Sequence, residues 1–254
     1  MTAWPPGSRR RIPGPDRKHS LAKTHETWLW GKNRMAIRAV VFDLDGLMFD
    51  TEALFFRSCS AVLESRGKRF TPEIMRSLIG RRAVEVAGWL KELAGVDEPP
   101  EVILSQVRER FLAEVDTAVH PTPGLIALLD HIHREALPTA VATSSGRPYV
   151  DRLLNRHGLA DRFAFILSAE DVTRGKPDPQ IYLLAADRFH VQPGELLVLE
   201  DSPAGVEAGR AAGAVVVAVP HEHSPMEGLG TADHIVPRLD DPAVLALIHG
   251  RVSR

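Results

Sequence analysis

Five short aliphatic runs recur along this chain: Ile37–Phe42, Thr139–Ala142, Phe163–Leu167, Leu196–Leu199 and Ala214–Val219. Their residues are apolar at consecutive rather than alternate positions, which suits strands buried on both faces. Between them, Leu125, Leu128, Leu129 and Ile132 keep the spacing of an amphipathic helix, and Tyr182, Ala185, Ala186 and Phe189 repeat it after Pro179. Ala204–Ala212 reads as a helix of small residues able to lie close on a sheet. Strands alternating with helices predict an α/β fold with a Rossmann-like parallel sheet.

The alternation breaks once. From about Ala53 to Val119 the pattern is helical almost throughout, with helices expected near Leu54–Ser65, Ala83–Leu93 and Val102–Val115. A parallel crossover needs only about a dozen residues, so residues 53–119 are predicted to be an inserted all-helical subdomain. The core is then 35–52 and 120–254, and His120-Pro121-Thr122-Pro123-Gly124 marks the return as a stiff turn.

Composition excludes several classes. The net charge of -2 argues against nucleic acid as the main partner, and no apolar run reaches the roughly 20 residues that span a bilayer. Cys59 is the single cysteine, so no intrachain disulfide can form; a reducing, cytoplasmic setting and a buried thiol are expected. Residues 1–34 carry eight Lys or Arg against Asp16 and Glu26, a formal +6 that leaves the remainder at -8. This tail is rich in Pro, Gly and Arg and has no apolar stretch of the secretory kind. It is expected to be a disordered extension, or an upstream stretch read from a misplaced start with Met35 as the natural beginning. A targeting or anion-binding arm is the alternative. Nothing in the pattern calls for an obligate assembly, and a monomer is expected.

Four polar patches fall at or just past strand ends, where open α/β sheets bind ligands. They are Asp43-Leu44-Asp45-Gly46 with Asp50-Thr51, Thr143-Ser144-Ser145-Gly146, Gly175-Lys176-Pro177-Asp178-Pro179, and Glu200-Asp201-Ser202. Asp43 and Asp45, two apart at the end of an extended run, should face one site. Acids that close repel unless a cation or a shared proton intervenes, and buried Asp is rare unless paired or metal-bound. The set suits phosphoryl transfer: a carboxylate nucleophile, hard oxygen ligands for Mg2+ from Asp43 and Asp201 with Glu200 as a further candidate, and Lys176 and Thr143 to stabilise transferring oxygens. Asp45 is placed to protonate a leaving oxygen and then to activate water.

In that order the four patches resemble motifs I to IV of the haloacid dehalogenase superfamily, over Ile37 to about Val219, with a helical cap after motif I. Within it the chain is most similar to the beta-phosphoglucomutase-like phosphatases, the group with pseudouridine-5'-phosphatase. The resemblance implies Asp43 as nucleophile, Asp45 as general acid and base, Thr143 and Lys176 on the phosphoryl group, and Ser144 near the substrate. It implies Mg2+ held by the Asp43 carboxylate, the Asp45 carbonyl and Asp201, with Glu200 as a further ligand or acting through water. The expected substrate is a small phosphorylated metabolite, a sugar or nucleoside phosphate.

Departures sharpen this. The dehalogenases and phosphonatases of the superfamily lack an acid at the position of Asp45, so its presence favours phosphate monoesters. Beta-phosphoglucomutases carry a His where this chain has Phe55, and a Lys where it has Ile79, which favours a phosphatase over a mutase. Arg81 and Arg82 after Gly80 could meet an anionic substrate or simply be solvated. Glu52 is either a substrate-facing acid or a helix-start residue. His131, His133 and the His221-Glu222-His223 stretch are expected at the solvated surface, Asp50 as a structural acid fixing the turn, and Asp178 in the first turn of a helix.

Overall fold

Six strands, β1 (Ala39–Phe42), β2 (Thr139–Ala142), β3 (Phe165–Leu167), β4 (Leu196–Glu200), β5 (Val215–Ala218) and β6 (His234–Ile235), form one parallel sheet. Their spatial order is β3-β2-β1-β4-β5-β6. The computed structural model describes residues 36–250 except 79–82, 96, 222, 223 and 225. The basic tail and the Gly80-Arg81-Arg82 segment therefore lie outside the described residues.

Every position of β1, β2, β4 and β5 is buried, as consecutive apolar runs require. β3 differs: it lies at the sheet edge, where Phe165 and Ile166 are only half-buried. It also starts two residues late, because Ala160–Arg162 makes a 3-10 turn whose last bond is donated by the Phe163 amide. β6 was not anticipated, since two residues carry no periodicity.

Side chains alternate across the sheet. Val40, Phe42, Leu197 and Leu199 face α5 (Leu125–Arg134), α6 (Arg147–Arg156) and α9 (Pro242–His249); Ala39, Val41, Leu196 and Val198 face α7 (Gln180–Phe189) and α8 (Pro203–Ala212). Each fully buried Leu, Val or Phe contributes about 1.5–3 kcal/mol. α8 lies close, as its small residues predict: a Cβ added at Gly209 would stand 2.8 Å from Val216 Cγ2. Ser202 caps α8, its Oγ accepting from the Gly205 amide at 3.1 Å, and Pro203 supplies a first-turn residue with no amide to satisfy.

Between β1 and β2 run α1 (Glu52–Glu64), α2 (Pro72–Leu78), α3 (Ala83–Ala94) and α4 (Pro100–Ala118). α2 was not foreseen. The insertion has its own apolar cluster around Cys59, Val62, Leu63, Met75, Leu90, Ile103 and Val107, with half-buried Phe55 packed against it. Burial pushes the Cys59 thiol up, so it stays protonated as a small apolar group. The chain enters and leaves the insertion side by side. The Asp50 amide donates to the His120 carbonyl at 3.3 Å and the Thr122 amide to Met48 at 2.9 Å. The Thr122 hydroxyl adds a bond to the Leu47 carbonyl at 2.6 Å.

Three expectations need correction. Asp50 is exposed; the turn is fixed by backbone bonds, from the Gly46 amide to Phe49 and the Met48 amide to Leu44. Asp178 precedes its helix, accepting from the Gln180 amide at 3.0 Å and pairing with Arg174 at 2.9 Å. His133 is exposed as expected, but His131 is half-buried with Nε2 enclosed. Among the described residues, no helix is long and apolar enough to cross a membrane.

Candidate active site

β1 delivers Asp43 just past its end, where the Asp43 amide still donates to the Leu199 carbonyl of β4 at 3.1 Å. Gly46 then turns the chain with φ +81°, and a Cβ there would lie 2.3 Å from Asp201 Oδ2. Glycine thus serves twice, allowing the left-handed turn and letting a carboxylate sit against the backbone.

Lys176 is the centre of the buried charges. Its ammonium donates to Asp43 Oδ1, to Glu200 Oε1 at 2.6 Å and to the Ala142 carbonyl at 3.0 Å. Glu200, fully enclosed, is saturated. Tyr182 donates to Oε1 at 2.5 Å, while the Ser202 hydroxyl at 3.1 Å and the Asp201 amide at 3.2 Å reach Oε2. Gly205 makes room for it: a Cβ there would lie 1.8 Å from Oε1. Burial works to lower the Lys176 pKa, but attraction from Asp43 and Glu200 overrides it and holds the ammonium well above its usual range.

Asp43, Glu200 and Asp201 each place a carboxylate oxygen within 4.8 Å of the others. One ammonium against three such groups leaves two negative charges uncompensated. Asp43 is accordingly raised well above the usual carboxylate range, by burial first and then by Glu200 and Asp201, with Lys176 opposing. Asp201 is pushed up to about 7, again by burial, with Glu52 and Glu200 adding and the His221 bond opposing. A set of hard oxygen donors short of positive charge fits a hard divalent cation such as Mg2+.

Asp45 is held separately. Ser145 Oγ donates to Oδ2 at 2.6 Å and Tyr149 to Oδ1 at 2.8 Å, so the two carboxylate oxygens are oriented from the β2–α6 connection and from the first turn of α6. The charge of Asp43 also bears on the Tyr149 hydroxyl. Burial, then Asp45, keeps that phenol well above its ordinary pKa and hence a donor. Thr143 is buried, its Oγ1 accepting from the Ser145 amide at 3.0 Å, and with Ser144, Gly175 and Lys176 it lines a small cavity.

His221 overturns its expected place on a solvated loop. Its Nε2 lies 3.0 Å from Asp201 Oδ2 and 3.0 Å from Glu52 Oε2. A single N–H cannot point at both, which accounts for Glu52 Oε2 being enclosed without a well-aimed donor. Burial lowers the imidazole pKa, but bonds to Asp201 and Glu52 dominate and raise it to about 10. Glu52 is both the first residue of α1 and engaged across the fold, so any substrate contact from it competes with His221. Glu222 and His223, like Arg81, lie outside the described residues.

The structure therefore joins Asp43 and Glu200 through Lys176, brings a carboxylate oxygen of Asp201 within 4.8 Å of both, and holds Asp45 from Ser145, two residues past Thr143. Sequence reasoning missed Tyr149, Tyr182, Ser145 and His221 as partners. A signal existed for Tyr182: it occupies a buried position of its helix, and a buried phenol needs an acceptor.

The model of the haloacid dehalogenase-like hydrolase family matches residues 40–219. Over 177 residues, 70% of this chain and 82% of the relative, the chain is 33% identical to a phosphorylated carbohydrates phosphatase of Thermotoga maritima. It is 34% identical over 207 residues to a Drosophila melanogaster protein described as a probable pseudouridine-5'-phosphatase, covering 79% and 89% of the two chains. Among solved structures, CbbY from Rhodobacter sphaeroides in complex with phosphate is similar at a TM-score of 0.73 and 26% identity, over 84% of this chain and 99% of that one.

Proposed function

The chain belongs to the haloacid dehalogenase-like hydrolase family, and on that footing we propose that it is a Mg2+-dependent phosphatase of small phosphomonoesters, sugar or nucleoside phosphates, acting through an aspartyl-phosphate at Asp43. The observation that carries the reading is the Lys176–Asp43 bond with carboxylate oxygens of Glu200 and Asp201 within 4.8 Å, together with an Asp45 held by donors of its own. The phosphatase relatives support it.

In the proposed reaction Asp43 attacks phosphorus, an O–P bond forms to its carboxylate, and the ester P–O bond breaks. Asp45 passes a proton to the leaving alcohol oxygen. It then takes a proton from water as that water attacks the acyl phosphate, which releases phosphate and restores both acids. Lys176 and Thr143 hold the phosphoryl oxygens, and Ser144 and Arg81 are proposed to contact the substrate. The Asp43 and Asp201 carboxylates and the Asp45 carbonyl would hold Mg2+. Glu200, its oxygens occupied by Lys176, Tyr182 and Ser202, would act on it through water while it positions Lys176. When bound, the cation supplies the positive charge that keeps Asp43 ionised and screens the phosphoryl group. The helical insertion is proposed as a cap that closes to exclude bulk water and reopens for release of products. The single buried thiol suits a cytoplasmic setting.

Phe55 weighs against a mutase. It packs into the insertion's apolar cluster and cannot take a proton from a sugar hydroxyl, so water becomes the phosphoryl acceptor. The test is phosphate release from a panel of several dozen sugar and nucleoside phosphates, with and without Mg2+, by wild type and by Asp43→Asn. Mg2+-dependent release by wild type alone is expected. Substantial release by a folded Asp43→Asn protein would end the covalent route, and isomerisation without free phosphate would establish a mutase.

A further inference from the structure

A second group of ligating side chains lies at the junction of α5 and α9 and shares no residue with the carboxylate cluster. His131 and Glu135 are one helical turn apart, on α5 and its C-cap, and so lie on one face. His249 ends α9. The helices are fixed against the same core by Leu128, Ile132, Val244 and Ile248. The two imidazole rings meet edge to face with centroids 4.6 Å apart and planes at 81°. His249 Nδ1 stands 3.8 Å from Glu135 Oε1, and one ligand atom from each of the three lies within 4.8 Å of the others.

The independent observation is His131 Nε2, enclosed without a hydrogen-bond partner. An enclosed imidazole nitrogen left unmatched is costly. We infer that His131, Glu135 and His249 form a binding site for a divalent transition metal of the zinc type. Two imidazoles and one carboxylate select a borderline cation over Mg2+ or Ca2+, and three protein ligands with water as the fourth make a tetrahedral set. Ligand atoms around such a centre, with bonds of about 2.0–2.2 Å, stand about 3.3 Å apart. The His249–Glu135 pair, at 3.8 Å, would have to draw in by about half an ångström, and His249 has an exposed side chain. The bound ion would tie the last described helix to the body of the core.

The test is Zn2+ uptake by equilibrium dialysis, together with thermal unfolding. Excess Mg2+ is kept present to occupy the carboxylate cluster. Full-length wild type is compared with His249→Ala and with His133→Ala, the exposed neighbour on the same helix. The tail histidines are common to all three proteins and cancel in the comparison. Wild type and His133→Ala should each hold about one equivalent of Zn2+ more than His249→Ala. At free Zn2+ about 100 times the dissociation constant, their folded-to-unfolded ratio should rise about 100-fold relative to that variant. Equal uptake by wild type and His249→Ala, or an equal loss in His133→Ala, would overturn the site.

Discussion

Removing divalent cations should make the stability of this protein fall as pH rises from 5 to 9. The slope comes from groups whose folded pKa lies above the unfolded one. Asp201 moves from 3.8 to about 7 because it is buried beside Glu52 and Glu200. Between those values the folded state holds a proton that the unfolded state has released, so each pH unit costs about 1.4 kcal/mol. From pH 5 to 7 Asp201 alone removes about 2 kcal/mol, and within a unit above 7 its cost is nearly complete. His221, raised from 6.5 to about 10, works with the same sign. The stability that its raised pKa brings is fully present below 6.5 and is progressively lost as pH climbs toward 10. Carboxylates with lowered values, such as Asp171 and Asp240, contribute stability that is lost only in more acid solution, outside this window. Urea unfolding at each pH, in chelator and in saturating Mg2+, is the assay. Mg2+ should stabilise strongly at pH 8 and weakly at pH 5, and Asp201→Asn should flatten both responses. Stability that is level or rising from pH 5 to 8 in chelator, or equal stabilisation by Mg2+ at both ends, would refute the charge argument.

Other expectations follow from the same contacts. Tyr149→Phe removes one of two donors to Asp45. A hydrogen bond to a charged group contributes about 1.5–3 kcal/mol, so kcat for phosphate release should fall by about 10- to 100-fold with KM little changed. Gly205→Ala drives a methyl group into Glu200, which should cost about 1–3 kcal/mol in urea unfolding and raise the Mg2+ concentration needed for half-maximal activity. Lys176→Met leaves the buried carboxylates without their ammonium and should destabilise by about 3–5 kcal/mol near neutral pH. Mg2+ should restore part of that stability, as read by thermal melting, without restoring turnover.

What could be read from the chain alone was whatever sits within a few residues of a strand end. Consecutive apolar runs located β1, β2, β4 and β5, and the polar residues following them supplied Asp43, Thr143 and Glu200-Asp201 with their approximate places. What escaped depended on side chains meeting across long stretches of sequence. Tyr149 reaches Asp45 from 104 residues away, and Tyr182 reaches Glu200 from the opposite helix layer. Tyr182 also fits the apolar face of α7 perfectly well as a ring, which hid its hydroxyl. His221 was misread because neighbouring prolines and a second histidine gave a loop its solvated look, whereas the site it faces is made by Glu52 and Asp201. α2 and β6 were too short for any period to register.

Phe49 stands where two pieces of backbone cross, bridged to Asp45 on one side and to Pro121 on the other. The outgoing thread, the homecoming thread and the loop that carries Asp45 are therefore spliced at a single residue. Whatever rocks the helical segment pulls on the same knot that aims Asp45, so looseness there would be inherited by its carboxylate. The converse is a rule for grafting: a foreign helical segment keeps the aim of Asp45 only where the backbone bonds of Gly46, Met48 and Thr122 are kept.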